Sequence, residues 1–199
     1  MADSAHRTRY VVLARLPRQL EVRIEDTFLT RAGATKPTMG YHVTLAGPFW
    51  LADDAGPESM ACLAELTMAI DRMTVRVSGL GAFEAPDDNT VYLHVQYSPA
   101  LWDLRDQIVE AVAPCAEFAS AQVRVWNYGA YHPHVTLGIT VSDRELAEFW
   151  NQTDRSDAAL SFDVSSVWLA EQVHNGPWQH VAEYPLGGMP AISGTPGSN

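Results

Sequence analysis

Hydrophobic positions along this chain switch between two periods, one typical of helices and one typical of strands. Leu20, Ile24 and Phe28 recur every fourth residue, which predicts a helix over 17–29 with one buried face. Similar apolar spacing predicts helices that begin at Pro57 and Pro99, and a capping-box sequence predicts a fourth helix over 142–150. Strands are expected over 10–16, 41–50, 73–83, 90–97, 121–126, 132–141, 160–170 and 178–186. Strand and helix signals thus alternate along the chain.

One tetrapeptide occurs twice in the chain. His42-Val43-Thr44-Leu45 recurs as His134-Val135-Thr136-Leu137, and each copy is followed by a helix and further strands. Weaker echoes link 77–80 with 164–167 and 91–95 with 177–181, and taken by themselves these two are better explained by chance similarity between strands of the same polarity. A repeat of this kind predicts two related lobes. We therefore expect one bilobal domain over 1–186, with its lobes interleaved in sequence, and a Gly/Ser/Pro-rich tail over 187–199 that is disordered.

The repeated tetrapeptide carries the chemistry. Side chains alternate across a strand, so His42 and Thr44 should point away from the core, as should His134 and Thr136. Two lobes related by a pseudo-twofold axis would bring the two His/Thr pairs together across one cleft. One neutral imidazole could then remove a proton while the other, protonated, supplies one to a leaving oxygen. The threonine hydroxyls could donate to phosphate oxygens, and this phosphodiester chemistry needs no metal.

The overall charge restricts the substrate. The formal net charge is −11, and the sequence shows no basic stripe of the kind that grips a long nucleic acid. We therefore expect a small nucleotide or an RNA 3'-end as the substrate, and no binding of long nucleic acid.

Other bulk features bear on location and assembly. No apolar run is long enough to predict a membrane span, and the polar N-terminus has no signal-peptide core, so a cytoplasmic monomer is expected. Cys62 and Cys115 are expected to be buried thiols, not a disulfide.

Two longer motifs resemble a known family. The segment YHVTLAGPF at 41–49 and the segment HPHVTLG at 132–138 are similar to the two motifs of the 2H phosphoesterases, the superfamily of 2'-5' RNA ligase-like proteins and cyclic phosphodiesterases. The resemblance extends from the strand at Tyr10 to about Leu186. It implies a bilobal α+β fold with two pseudo-twofold-related lobes, each an antiparallel sheet backed by helices, around a central cleft. It also implies no metal or other cofactor, His42 and His134 as catalytic residues, and Thr44 and Thr136 as phosphate-binding residues.

The chain departs from this family in two respects. The loop 31–40 holds only Lys36 as a basic residue after Arg31, and the chain is unusually acidic for an RNA enzyme. Both features disfavour ligation or processing of structured RNA more than they disfavour phosphoesterase chemistry.

Further candidates follow from strand parity and from residue type. Histidines and arginines with cleft-facing parity could contact phosphate or a sugar hydroxyl, and aromatic side chains could stack on a base. The possible substrate-binding residues are His94, His132, Arg76, Arg124, Phe83, Trp126, Tyr128 and Trp168. His6, His174 and His180 are expected to be surface or loop residues.

Four hypotheses for the function remain open. The first is hydrolysis of a 2',3'-cyclic nucleotide or of a cyclic phosphate at an RNA end, and the family resemblance favours opening toward the 2'-phosphate. The second keeps the fold but acts on 2'-5' linked oligonucleotides, by cleavage or ligation, or on ADP-ribose cyclic phosphate. The third is a metal enzyme that uses the H-x-H sequence at 132–134. The fourth is a nucleotide-binding module without turnover.

Acid–base roles also predict a pH dependence. A bell-shaped rate profile is expected, because one imidazole must be neutral while the other is charged. The acidic charge of the protein should raise the pKa of both histidines.

Overall fold

The computed structural model describes residues 7–29, 35–52, 60–118, 120, 123–124, 131–153 and 158–187. Within them nine strands form one sheet, and four α-helices accompany it. The strands are β1 (Arg9–Arg15), β2 (His42–Leu51), β3 (Met73–Phe83), β4 (Asn89–Val95), β5 (Ala116–Phe118), β6 (His134–Val141), β7 (Leu160–Val164), β8 (Ser166–Gln172) and β9 (Trp178–Pro185). The helices are α1 (Arg18–Ile24), α2 (Ala61–Met68), α3 (Pro99–Val112) and α4 (Asp143–Gln152).

The sheet consists of two lobes that meet at one strand pair. Its strand order is β7-β3-β4-β6-β2-β1-β8-β9, with β5 paired to the end of β2, and every pairing is antiparallel. We call β1, β2, β5, β8 and β9 the first lobe, and β3, β4, β6 and β7 the second lobe. The lobes join where Val43 of β2 pairs with Val135 of β6. This confirms the predicted bilobal α+β fold and places the two repeated tetrapeptides at the junction.

The chain crosses between the lobes at Ser165. A single strand was predicted over 160–170, and this is wrong, because β7 pairs with β3 in the second lobe whereas β8 pairs with β1 in the first. The burial pattern gives the reason. Val164 and Val167 are both buried, so the two-residue alternation slips by one position at this point. Ser165 therefore connects β7, the outer strand of the second lobe, to β8 in the first lobe. The sheet as a whole is curled.

The same slip occurs at the equivalent place in β3. Val77 and Leu80 are both buried, and the pairing of β3 with β4 is irregular between them, at Gly79, whose φ is +81°. An L-residue with a side chain rarely adopts that φ. The sequence echo between 77–80 and 164–167 therefore marks equivalent kinks. The echo between 91–95 and 177–181 is wrong as a structural equivalence. This echo would make β4 equivalent to β9. In the sheet, however, β4 lies next to β6, and the strand in the same position next to β2 is β1.

Helices cover one face of the sheet, whereas the other, open face buries a small cluster of apolar residues, Val11, Leu13 and Ala170. The buried residues of α3 are spaced as predicted for an amphipathic helix, and α2 packs on α3 and against β9. Beneath them Val43, Leu45, Val135 and Leu137 are almost completely buried. Burying a side chain of this size contributes about 1.5–3 kcal/mol, which fixes the direction in which each strand faces. The histidines and threonines of the repeated motif consequently face the open side of the sheet.

Several predicted boundaries differ from the structure. The first helix ends at Ile24 and continues as a wider π-type turn over Glu25–Leu29. The strand predicted over 121–126 is wrong at the two of its residues that are described, Val123 and Arg124, which are helical. Strand β5 was not predicted because three residues are too few to establish a period. Residues 53–59, where the second helix was expected to begin, and the tail beyond Gly187 lie outside the described residues.

Two smaller predictions are confirmed. The capping box is present, since Ser142 Oγ accepts from the Glu145 N–H and the Glu145 carboxylate accepts from the Ser142 N–H at 2.9 Å. Cys62 and Cys115 form no disulfide, as predicted, but both are half-buried and not fully buried as expected. Among the described residues, no helix combines the length and the apolar character that crossing a membrane requires.

Candidate active site

The two histidines lie diagonally across the junction between the lobes. In an antiparallel pair that matches Val43 with Val135, His42 stands opposite Thr136 and Thr44 stands opposite His134. Side chains directly opposite each other have Cβ atoms about 5 Å apart, and diagonal neighbours about 7–8 Å apart. The motif therefore forms a square in which each imidazole has a hydroxyl across from it. One phosphate group fits between imidazoles at that spacing.

Both imidazoles are anchored in the same way. Nδ1 of His42 donates to the carbonyl oxygen of Gly40 at 2.7 Å, and Nδ1 of His134 donates to the carbonyl oxygen of His132 at 2.8 Å. Each partner lies two residues upstream of its histidine, so the arrangement is repeated in the two lobes. The backbone bond fixes the tautomer and leaves Nε2 of each ring available in the cleft. Nε2 is then an acceptor on the neutral ring and a donor on the protonated ring.

The Gly40 carbonyl is held in place by backbone geometry that favours glycine. Gly40 has a φ of +72°, and a Cβ at this position would lie 2.9 Å from Oε1 of Glu21. Both constraints disfavour any other residue there. The turn that anchors His42 thus depends on the absence of a side chain at Gly40, which lets the backbone pack against the buried carboxylate of Glu21.

Burial controls the protonation of the two rings. His42 is only 8% exposed. Its burial lowers the pKa of His42 to about 4, against the opposing effect of the Gly40 hydrogen bond, and the charges of His134, His180 and Arg15 lower this pKa further. Burial also lowers the pKa of His134, and the charges of His132 and His94 add to this. The sequence-based expectation that the acidic protein raises both pKa values is wrong, because desolvation of the charged ring outweighs distant charge.

Aromatic rings form a wall around His134 in the second lobe. The Phe83 ring centroid lies 4.9 Å from that of His134, and the Tyr92 centroid lies 5.3 Å from it. Phe83 and Tyr92 stack on each other at 4.3 Å, and His94 and His132 contact the Tyr92 ring at 5.0 and 5.5 Å. We call these four residues, Phe83, Tyr92, His94 and His132, the ring wall. Three of them were candidates from the sequence, and the structure brings all of them to His134.

A glycine gives the Tyr92 ring its place in this wall. Gly81 pairs with Tyr92 across β3 and β4, and a Cβ on Gly81 would come within 2.6 Å of the Tyr92 ring. Any side chain at this position would displace the ring and, with it, the surface beside His134. The strand signal at 73–83 did not indicate this requirement.

A different set of groups flanks His42 in the first lobe. Arg15 of β1 pairs with His42 of β2, and its guanidinium carbon lies 4.9 Å from the centroid of the Trp168 ring. Trp168 in turn contacts the ring of His180 at 5.5 Å. Beside these residues is a cavity of about 390 Å³, which is lined by Arg15, Glu21, Lys36, Pro37, Thr38, Met39, Gly40 and His180.

Of this first-lobe set, only Trp168 was a candidate from the sequence. His180 was expected at the surface, and this is wrong, since its Nε2 is buried on β9. Arg15 is the one charged residue in the apolar segment 10–16, and that feature could have drawn attention to it.

Comparison with known proteins places the chain in a family. The family model of the 2'-5' RNA ligase superfamily matches residues 31–176, which include both tetrapeptides. The chain belongs to the 2'-5' RNA ligase superfamily. Among curated relatives, a protein of Bacillus anthracis named as a phosphoesterase is 26% identical over 146 residues, which cover 73% of this chain and 78% of that protein. A Bacillus cereus protein of the same name has the same identity and coverage.

Solved structures show the same fold at low identity. Escherichia coli LigT in complex with 3'-AMP matches this superfamily member with a TM-score of 0.60 and 18% identity, over 90% of this chain and 98% of LigT. TT0787 of Thermus thermophilus also has a TM-score of 0.60, with 15% identity and the same coverage. Usb1 of Kluyveromyces marxianus matches 92% of the chain, with a TM-score of 0.56, 17% identity and full coverage of Usb1.

Not every predicted residue of this superfamily member reaches the junction. Arg76 is exposed on β3, in a separate cavity of about 350 Å³ that it shares with Ser78, Gln96 and Ser161. Arg124 is exposed in a helical turn, so the strand parity that suggested it does not apply. Trp126 and Tyr128 lie outside the described residues.

Two further observations complete the surroundings of the site. The Tyr131 hydroxyl donates to the carbonyl oxygen of Thr44 at 2.8 Å and so ties the segment before β6 to β2, a contact that the sequence did not predict. A cavity of about 440 Å³ near Asn89 and Trp150 is larger than the one beside His42, but no motif residue lines it. Within the described ranges, no three His, Cys, Asp or Glu side chains are placed to hold one metal ion.

Proposed function

We propose that this protein hydrolyses a 2',3'-cyclic phosphodiester, carried by a small nucleotide or by an RNA end, through acid–base catalysis by His42 and His134 without a metal ion. The observation that carries the proposal is the antiparallel pairing of Val43 with Val135. From its register we infer that the two imidazoles lie diagonally across the junction, each opposite the threonine of the other motif. This placement offers one phosphorus atom two nitrogens on opposite sides and two hydroxyl donors between them.

The proposed reaction is one proton transfer at each imidazole. A neutral ring accepts a proton at Nε2 from a water molecule, whose oxygen attacks phosphorus. The protonated ring donates from Nε2 to the ribose oxygen that leaves, and the bond between that oxygen and phosphorus breaks. The product is a phosphate monoester, and the proton gained by one ring balances the proton lost by the other. Thr44 and Thr136 donate to the non-bridging oxygens as negative charge develops on them.

The surroundings favour a nucleotide as the substrate. Phe83 is 43% exposed and adjoins His134, so a base can stack on it while the phosphate lies between the histidines. The LigT structures were obtained with 3'-AMP, with ATP and with NADP+, and the curated relatives are named as phosphoesterases, both of which support this choice. Opening toward the 2'-phosphate rests on the family resemblance alone.

Turnover of 2',3'-cyclic AMP by single variants tests the proposal. His42→Ala and His134→Ala are each expected to lower kcat by about 10²–10⁴-fold, the usual contribution of one acid–base group. His174→Ala removes an exposed histidine and serves as the control, with activity close to wild type. Wild-type activity in either of the first two variants would overturn the proposal.

A substrate panel and chelation separate the other hypotheses. Turnover is expected to survive treatment with EDTA, and its loss would favour a metal enzyme. Preference for 2'-5' linked oligonucleotides or for ADP-ribose cyclic phosphate would keep the mechanism but change the substrate. Tight nucleotide binding with no product from any member of the panel would support a binding module.

A further inference from the structure

We infer that the cavity beside His42 is a subsite for a second phosphate of the substrate, carried on the 5' oxygen of the nucleotide whose cyclic phosphate lies between the two histidines. This inference rests on the proposed function and names the substrate more closely. The cavity adjoins Gly40, whose carbonyl anchors His42, so the two sites share a wall.

Arg15 is the group that would bind this phosphate. Its Nε is buried without a hydrogen-bond partner, and the carboxylate of Glu21, which lines the same cavity, pairs with Arg18 and not with Arg15. The Trp168 ring supports the guanidinium at 4.9 Å. An unpaired cation that is partly removed from water is costly unless an anion neutralises it. Arginine also binds phosphate through two parallel hydrogen bonds, which a point charge does not provide.

The neighbouring carboxylates are already matched by other cations. Glu21 accepts from Arg18 at 3.0 Å, and Glu25 forms an ion pair with Lys36. Oε1 of Glu21 is buried against Gly40 and, like Nε of Arg15, has no hydrogen-bond partner. Arg15 therefore provides a surplus positive charge in the cavity, within a protein whose net charge is −11.

The two lobes differ at this position, and the difference gives the cleft a direction. Arg15 pairs with His42 in the first lobe, and the residue that pairs with His134 in the second lobe is His94. One side of the junction thus presents a guanidinium and the other presents the ring wall. Adjacent strands are about 4.8 Å apart. The Arg15 guanidinium, on the strand next to that of His42, can therefore contact a second phosphate that one ribose separates from the reacting phosphate.

Titration calorimetry of the full chain tests the subsite without turnover. The probes are adenosine 2'-phosphate, adenosine 2',5'-bisphosphate and the dinucleotide ApA with a 2'-terminal phosphate. Wild type is expected to bind at least one 5'-phosphorylated probe about 10- to 100-fold more tightly than adenosine 2'-phosphate, as for charge-assisted hydrogen bonds. Arg15→Gln should reduce this ratio to about one. Arg15→Lys, which keeps the charge but loses the fork, should retain part of it.

Comparing the two affinities within each variant, as the ratio of the 5'-phosphorylated probe to adenosine 2'-phosphate, cancels any general loss of affinity. Arg76→Gln is the matched control, because Arg76 lines a different cavity. A preference for the bisphosphate would indicate a free 5'-phosphate, and a preference for the dinucleotide would indicate the backbone of an RNA end. The inference is overturned by a wild-type ratio of one, by a ratio retained in Arg15→Gln or by a ratio lost in Arg76→Gln. Failure of the proposed function would appear separately, as absence of turnover of 2',3'-cyclic substrates.

Discussion

Acidification should destabilise this protein through His42, and replacing that histidine should remove the effect. The ring is buried, and its pKa is lowered to about 4 in the folded chain, against 6.5 when unperturbed. The unfolded chain therefore binds the proton at a higher pH than the folded chain does. Since the unfolded state gains more protons as pH falls from about 6.5 to about 4, stability is lost over that window.

The size of the effect follows from the two pKa values. One unit of pKa difference between the folded and the unfolded chain corresponds to about 1.4 kcal/mol, so the full contribution of His42 is about 3 kcal/mol. Of this, about 2 kcal/mol should be lost between about pH 7.5 and about pH 5. The total stability of a domain is about 5–15 kcal/mol, so the loss is large enough to measure.

Urea denaturation at a series of pH values measures the free energy of unfolding directly. His42→Gln is expected to lose about 2 kcal/mol less than wild type between about pH 7.5 and about pH 5. His174→Gln, which changes an exposed histidine, should follow the wild-type curve. Curves for wild type and His42→Gln that fall in parallel would show that burial of this ring does not control its protonation.

Two predictions concern turnover and binding. The pKa values of both His42 and His134 are lowered, so the protonated ring that donates the proton is lost as pH rises. We therefore expect kcat/KM for a cyclic nucleotide to fall above about pH 6.5. A rate that instead increases toward about pH 8 would contradict the roles given to the two rings. Phe83→Ala should weaken nucleotide binding by roughly 5- to 150-fold through loss of a stacking surface, measured by calorimetry, while Tyr97→Ala, an exposed aromatic residue outside the ring wall, should leave affinity unchanged.

The geometry of the candidate site was predictable where residue type and strand parity agree. His42 and Thr44 share a face of β2 because the alternating valine and leucine must be buried, and the same holds in β6. A duplicated polar pair on an apolar strand is therefore visible in the sequence. The ring wall could be predicted in part for the same reason, because the alternation of side chains along β4 assigns His94 to the open face.

Features that depend on the path of the chain between lobes were not predictable. The run 160–172 contains no glycine or proline that would predict a break at Ser165, and only the pairing partners reveal two strands. Arg15 follows an apolar segment that is buried on both faces, so parity could not assign it to the cleft. The protonation of the two histidines was also beyond the sequence, because it depends on how completely the folded chain excludes water from His42.

The pairing of Val43 with Val135 also sets the distance over which the proposed proton transfers would take place. A slip of one residue would turn one motif toward the helices and abolish the cleft on that side. A slip of two would preserve the faces but could align His42 directly with His134, which would bring the rings together and leave no gap for a phosphate. The spacing between proton acceptor and proton donor is thus determined by backbone registration, and the side chains need only point outward.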